Sequence, residues 1–337
     1  MRTFLIIAVV LSVITFGGFF YLSSVAQYSH GPSGQNQRFE VEQGENIFSL
    51  AQRLESDGLI ASRYAFIWHI VREGKTKNLV AGTYGLNGAL SIADIAFMVT
   101  EGKTLPRDIR VTFPEGWDTK KMAERLTANG LPGAAFLILA QQPKSEWRQT
   151  FDFLADAPAD VSLEGFLFPD TYFFYPQASA EDIIEKMLEN FGKKIDTAFR
   201  AAAEERQQGI YRVVVLASIV ENEVKTEIDR KMVADIFWRR LAIGQPLQSD
   251  ATVKYILGID KIQHTFEETR TESPYNTYIH TGLPLGPIGN PGMVSLSATL
   301  FPISNPYFYF LSDPKTGKTI FSVTYEEHLN NKNLYGL

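Results

Sequence analysis

Residues 39–60 read FEVEQGENIFSLAQRLESDGLI, and residues 111–131 read VTFPEGWDTKKMAERLTANGL. An offset of 72 aligns Gly44 with Gly116, Ala51 with Ala123, Arg53 with Arg125, Leu54 with Leu126, Gly58 with Gly130 and Leu59 with Leu131. Each copy predicts a short strand, a Gly turn, an amphipathic helix and a Gly stop. In the first helix Ile47, Leu50, Ala51 and Leu54 share one face at i, i+3, i+4 and i+7. In the second, Met122, Ala123 and Leu126 do the same, with Thr119 in the place of Ile47. Two small α/β folding units satisfy the pattern. The first, 39–104, continues through a helix near Arg63–Glu73, AGTYGL (81–86) and SIADIAFMVTEGK (91–103). Ser91 is placed as an N-cap there, with Asp94 at the capping-box spacing. Residues 105–160 read as a second small α/β unit and connector, interrupted by Pro143 and Pro158.

The chain of 337 residues is long enough for about two domains at roughly 150 residues each. Apolar residues make up 45% and charged residues 21%, a globular balance that argues against long disorder. A net charge of −6 supplies no basic footprint, so nucleic acid is not expected as a partner. Cysteine is absent, which excludes disulfides, thiolate metal sites, a cysteine nucleophile and a lipidated N-terminal cysteine. It leaves the compartment open. Residues 4–22, FLIIAVVLSVITFGGFFYL, carry no charge, and about 20 residues span a bilayer core. Arg2 and the amino terminus are the only nearby charges. The positive-inside rule puts that end in the cytoplasm and everything from about residue 27 outside the membrane. Residues 1–26 therefore read as a transmembrane anchor, and 27–38, QYSHGPSGQNQR, as a flexible linker. A cleaved signal peptide, with SSVAQ near the cut, is the competing reading; its apolar region usually runs only 7–15 residues.

The C-terminal half, 161–337, concentrates the polar groups. Residues 180–207 form one helical pattern, with Ile183, Ile184, Met187, Leu188 and Phe191 on a face and Gly192 as a kink. The run Val213–Val220 inside YRVVVLASIVENEV (211–224) suits a buried strand or a buried helix, and periodicity alone does not choose. On a helix, Val214, Ala217, Ser218 and Glu221 line one stripe, and the small pair leaves room above the backbone for a ligand. Glu221 then ends an apolar element. Desolvation there disfavours its ionised form and raises its pKa, as a general acid requires. The alternative is that Glu221 is simply the first solvated residue after a core run. Glu223 lies about 200° further round and does not share its face.

Three further stretches do not read as ordinary core. LEGFLFPDTYFF (163–174) sets Glu164 and Asp170 among aromatics. PLQSDATVKYILG (246–258) places Gln248, Ser249, Asp250 and Thr252 before an apolar helix, with Ser249 or Asp250 as N-cap. SPYNTYIHTGLPLGPIGNPG (273–292) is too rich in Gly and Pro for regular structure and too apolar for a disordered linker, so it reads as a fixed functional loop. GxSxG, HExxH, GxxxxGK[ST] and GxGxxG are all missing. The five His residues show no metal-ligand spacing, and neither metal nor cofactor is expected.

LASIVENE, EGFLFPDTY, LQSDATVKY, SPYNTYIHTGLPLGPIGNPG and FSVTYEEH, in this order behind one N-terminal anchor, resemble the endolytic murein transglycosylase (YceG-like) family over most of residues 39–330. The resemblance implies an α+β protein: a transmembrane helix, a LysM-like α/β subdomain, and a mixed α/β catalytic domain. It implies a lytic transglycosylase that cuts peptidoglycan glycan strands and terminates nascent strands, with peptidoglycan synthases as further partners. The family's catalytic Glu follows Ser-Ile-Val, which is Glu221 here. Asp250, Asn276, Thr277, Tyr278, Gln248 and Glu164 match cleft motifs and, with Ser218, are expected as substrate-binding walls. Four positions depart from the family pattern: Ala251 and Leu285 stand in place of Pro, Arg239 in place of Asn, and Thr319 in place of a frequent His. A muramidase-type hydrolase using the same Glu with water, and a non-catalytic cell-wall scaffold, are the alternatives.

Overall fold

The computed structural model describes residues 37–105, 108–259, 261, 265–313 and 315–336. The expected anchor, 1–26, and nearly all of the linker lie outside these residues; among the described residues no helix is long and apolar enough to cross a membrane. The chain divides into two compact units, Met1–Arg107 and Asp108–Leu337. Among the described residues there are thirteen α-helices and three two-stranded antiparallel sheets, a mixed α/β fold.

In the first unit β1 (Gln37–Val41) leads to α1 (Ile47–Ser56), α2 (Arg63–Arg72), β2 (Gly82–Leu86) and α3 (Ile92–Glu101). β1 pairs with β2, with Phe39 opposite Tyr84. Asn46 caps α1 by accepting the N–H groups of Phe48 and Ser49. Ser91 and Asp94 form a complete capping box on α3. Phe39, Leu50, Leu54, Phe66, Tyr84 and Ile95 close the core.

The second unit runs β3 (Ile109–Thr112), α4 (Thr119–Ala128), α5 (Gly133–Gln141), α6 (Ser145–Thr150), β4 (Thr171–Phe174), α7 (Ala180–Lys194), α8 (Thr197–Glu205), α9 (Ile210–Glu223) and α10 (Glu227–Ala242). It ends with α11 (Asp250–Leu257), α12 (Met293–Leu300), β5 (Tyr309–Ser312), β6 (Thr319–Ser322) and α13 (Tyr325–Tyr335). β3 pairs with β4, so residues 108–160 belong to the same unit as the chain that follows them. The offset of 72 carries through to backbone geometry. Gly44 and Gly116 take φ of +80° and +77°, and Gly58 and Gly130 take +70° and +76°. These are left-handed turns that a side chain would strain.

The 180–207 pattern breaks after Lys194 rather than kinking at Gly192. Asp196 accepts the Phe199 N–H and starts α8 afresh. Gly192 stays helical, and a β-carbon there would come 3.1 Å from the Phe153 ring. The ambiguous 211–224 stretch is the helix α9. Val213, Val214 and Ala217 pack into one core and Leu216, Ile219 and Val220 into another. A helix buried on every side needs no polar face, and packing overrides its β-branched propensity.

Gly165 shows how closely the loop after residue 285 lies on α9. Its φ is +89°, and a β-carbon would sit 2.6 Å from Pro287 Cγ and 2.7 Å from Val214 Cγ1. Gly165→Ala is expected to cost about 3 kcal/mol from strain and overlap together. Gly130→Ala, strained but in open space, is expected to cost about 1 kcal/mol. Denaturant titration of both checks this; equal losses would contradict the packing of the loop.

Candidate active site

Glu221 lies in the last turn of α9 with both oxygens engaged. Arg230 Nη2 donates to Oε1 at 2.6 Å, and the Gly292 N–H donates to Oε2 at 3.0 Å. The two side chains of the ion pair are 5% (Glu221) and 11% (Arg230) exposed. Arg230 Nε also donates to the Val224 carbonyl. The guanidinium thus closes the C-terminus of α9, where carbonyls lack helical partners and a cation is favoured. Glu221 does end the buried 213–220 run of α9, and its carboxylate is held there by charge-assisted hydrogen bonds. The room expected above Ala217 and Ser218 is filled. Ser218 is fully buried; its hydroxyl donates to the Val215 carbonyl and accepts the Ile288 N–H at 3.0 Å. Its small side chain seats the loop that carries Gly292 to Glu221.

A second turn closes on the same point. Gly116 packs so near that a β-carbon would lie 3.3 Å from Glu221 Cγ. The Gly116 N–H donates to the Asn290 carbonyl, and the Asn290 N–H to the Trp117 carbonyl. A β-carbon on Gly292 would overlap Glu115 Oε1. Burial pushes the Glu115 carboxyl up, the Glu221 charge adds to this, and Arg230 opposes it. Arg230, Gly292, Asn290 and Glu115 were not singled out from the sequence. Gly116 carried a signal only as a repeat glycine.

Glu164 lies beneath these turns, 3% exposed. It accepts the Thr119 N–H and hydroxyl and the Asn290 Nδ2–H at 2.8 Å. Asn290 Oδ1 in turn accepts the N–H groups of Gly165 and Leu167. The residue ties α4 to the 286–292 loop and offers no surface to a ligand. Burial pushes its carboxyl up to about 8 despite these donors.

The other expected wall residues gather in one cluster around the start of α11. Glu223 turns away from Glu221, as the helix angle requires. It accepts the Ser249 hydroxyl and the Ala251 N–H, and so caps α11 from outside. Ser249 holds the N-cap position but makes no side-chain cap of its own. Burial pushes Glu223 up to about 7. The Tyr278 hydroxyl donates to Asp250 Oδ1 at 2.6 Å, Gln248 N–H to the Thr277 carbonyl, and Ser249 N–H to Thr277 Oγ1. Asn276 Nδ2 binds the carbonyls of Thr269 and Thr271. Asn276 and Thr277 are buried braces, whereas Gln248 is exposed and Asp250 and Tyr278 are half-buried. Among the described residues no three potential ligand side chains converge as a metal site.

The raised Glu164 carboxyl fixes the sign of one pH effect. The unfolded chain releases this proton near 4.5, while the folded protein keeps it to about 8, so this group makes stability fall as pH rises through that window. Glu164→Gln is expected to flatten the fall in urea midpoint between those two pH values. An unchanged slope would contradict the buried, protonated assignment.

Comparison with known proteins gives the family. Residues 39–334 match the model of the YceG-like family. An endolytic murein transglycosylase of Bacillus subtilis (strain 168) is 30% identical over 331 residues, covering 95% of this chain and 90% of that one. The endolytic murein transglycosylase of Streptococcus pneumoniae serotype 2 (strain D39 / NCTC 7466) is 26% identical over 350 residues, covering 96% of this chain and 63% of the pneumococcal one. A crystal structure of a yceG-like protein from Listeria monocytogenes matches with a TM-score of 0.61 at 34% identity, covering 88% of this chain and 100% of that one. The match along residues 39–334, together with these relatives, means that the chain belongs to the YceG-like family.

Proposed function

We propose that the chain is a membrane-anchored endolytic lytic transglycosylase that cuts the bond between N-acetylmuramic acid and N-acetylglucosamine in peptidoglycan and leaves a 1,6-anhydro end. The observation that carries this reading is the placement of Glu221, held between a guanidinium and a backbone N–H in a chain whose relatives bear that name. Glu221, protonated, gives its proton to the glycosidic oxygen as the bond to the muramic anomeric carbon breaks. The same carboxylate then takes the proton of the sugar's C6 hydroxyl, and that oxygen closes onto the anomeric carbon. One group serves as acid and then base because the nucleophile belongs to the substrate. This differs from the two-carboxylate glycosidase plan. The low exposure of Glu221 favours the internal hydroxyl over water, since a held nucleophile has a high effective molarity and water is excluded.

The anchor over residues 1–26 places the catalytic unit outside the inner membrane, where nascent strands and the peptidoglycan synthases that make them are the partners. The β1–α1–α2–β2 order of the first unit supports a LysM-like glycan-binding role for it. Glu221→Gln is expected to abolish glycan cleavage while sacculus binding persists; undiminished cleavage would sink the enzyme reading. Product masses about 18 Da below the hydrolysed ends are expected, and hydrolysed masses would point to a muramidase instead. Release from membranes is expected to need detergent, and release by salt alone would contradict the anchor.

A further inference from the structure

The first unit carries a pocket that its own packing does not fill. On α3, Ala93, Ala96 and Phe97 share one face at i, i+3 and i+4. His69 in the last turn of α2 and Glu73 at its C-cap, again i and i+4, line the same space. Lys75 follows on the rim. The cavity measures about 260 Å³, and the small side chains of Ala93 and Ala96 leave it open.

Phe97 does not serve the core. Its ring is 52% exposed, although Ile95, Ala96 and Val99 beside it are buried in the core of the unit. Lys75 Nζ lies 5.8 Å from the ring centroid, a cation–π contact that steadies the ring at the rim. An aromatic side chain held beside a cavity is a wall for a ligand with an apolar face.

The polar groups narrow the ligand further. Burial lowers the His69 pKa, Arg72 and Lys75 add to this, and Glu73 opposes it. The imidazole is therefore neutral near neutral pH and offers one donor and one acceptor. Lys75 donates to Glu101 at 2.7 Å, and Glu73 faces Arg72 at 3.7 Å. Each charge on the rim has its counter-charge, so none is left over to attract an acidic group. A pyranose suits these walls: its C–H groups stack on an aromatic ring, and its hydroxyls both donate and accept. Of the two sugars in a peptidoglycan strand, N-acetylglucosamine is uncharged, whereas N-acetylmuramic acid carries a lactyl carboxyl or the peptide joined to it.

Resting on the glycan-binding role of the first unit, we propose that the pocket between α2 and α3 is its sugar subsite and takes an uncharged N-acetylglucosamine residue, with Phe97 against the sugar ring. The site is separate from the chemistry at Glu221 and holds the strand without cutting it.

The test titrates chitotetraose, an uncharged N-acetylglucosamine tetramer, into the full chain in detergent, with Glu221→Gln as the parent background so that nothing is turned over. Phe97→Ala removes the wall and Ala93→Leu fills the space; each is expected to weaken binding about tenfold in isothermal titration. Phe97→Trp is expected to keep the affinity and to add a change in indole emission on binding. Phe48 on α1 is 66% exposed and does not line the pocket, so Phe48→Ala is expected to bind as the parent does. Melting temperatures are expected to stay unchanged, because Phe97 is exposed and Ala93 half-buried. Tetragalacturonic acid, an acidic tetramer, is expected not to bind; binding as tight as that of chitotetraose would overturn the choice of an uncharged sugar. Parental affinity in both Phe97→Ala and Ala93→Leu, or a loss in Phe48→Ala alone, would overturn the pocket and leave glycan binding standing. No binding by the parent would overturn both. Cleavage of purified peptidoglycan with Glu221 in place is read separately, so neither result bears on the transglycosylase reading.

Discussion

A carboxylate next to the buried run 213–220 of a helix, itself 5% exposed, must find partners, because an unpaired charge there costs several kcal/mol. Glu221 finds them in Arg230 and the Gly292 N–H, and much of the second unit is arranged to make that meeting happen. Ala217 and Ser218 are small, so the 286–292 loop can lie on α9. Ser218 pins the loop at Ile288. Asn290 pins it to the Trp117 turn and, through Glu164, to the start of α4. Each bond removes freedom from a segment that has no regular secondary structure of its own.

The end of α9 faces two ways. On one side Glu221 is held at the meeting of loop and turn. On the other, Glu223 caps α11 and, through Ser249 and Thr277, gathers the 246–252 and 276–278 segments. Two carboxylates two residues apart thus hold different parts of the unit. The four positions that differ from the pattern expected of the family each make bonds of their own. Ala251 supplies an N–H to Glu223 that Pro could not. Leu285 likewise uses its N–H on the Pro274 carbonyl. Arg239 bonds to Asp235 and to the carbonyl of Tyr307, and Thr319 donates to Asp229 at 3.0 Å. These four residues are part of the local bonding.

Periodicity made much of the fold legible. The glycines at an offset of 72 are turns in both copies, and the faces containing Leu50, Leu54, Met122 and Leu126 point inward. The Gly- and Pro-rich 273–292 stretch is a fixed loop, as its apolar content required. Periodicity failed where burial is on all sides. Val213–Val220 has no polar face to set a period, so strand and helix stayed open. It also failed at Gly192, because the Phe153 ring that occupies its missing side chain comes from a distant segment. The site was legible as residue types near Glu221 but not as contacts. Nothing local marks Arg230 among the charges of α10, or tells that Glu164 and Asn276 are braces and not walls. Those facts depend on pairings such as Glu164 with Asn290, which are 126 residues apart.

Cleavage at Glu221, as proposed, can be read from a crystal structure of Glu221→Gln with a bound peptidoglycan strand fragment. A glycosidic oxygen is expected within hydrogen-bond reach, about 3 Å, of the residue 221 amide. A strand bound with every glycosidic oxygen beyond the reach of that side chain, even through one bridging water, would contradict it.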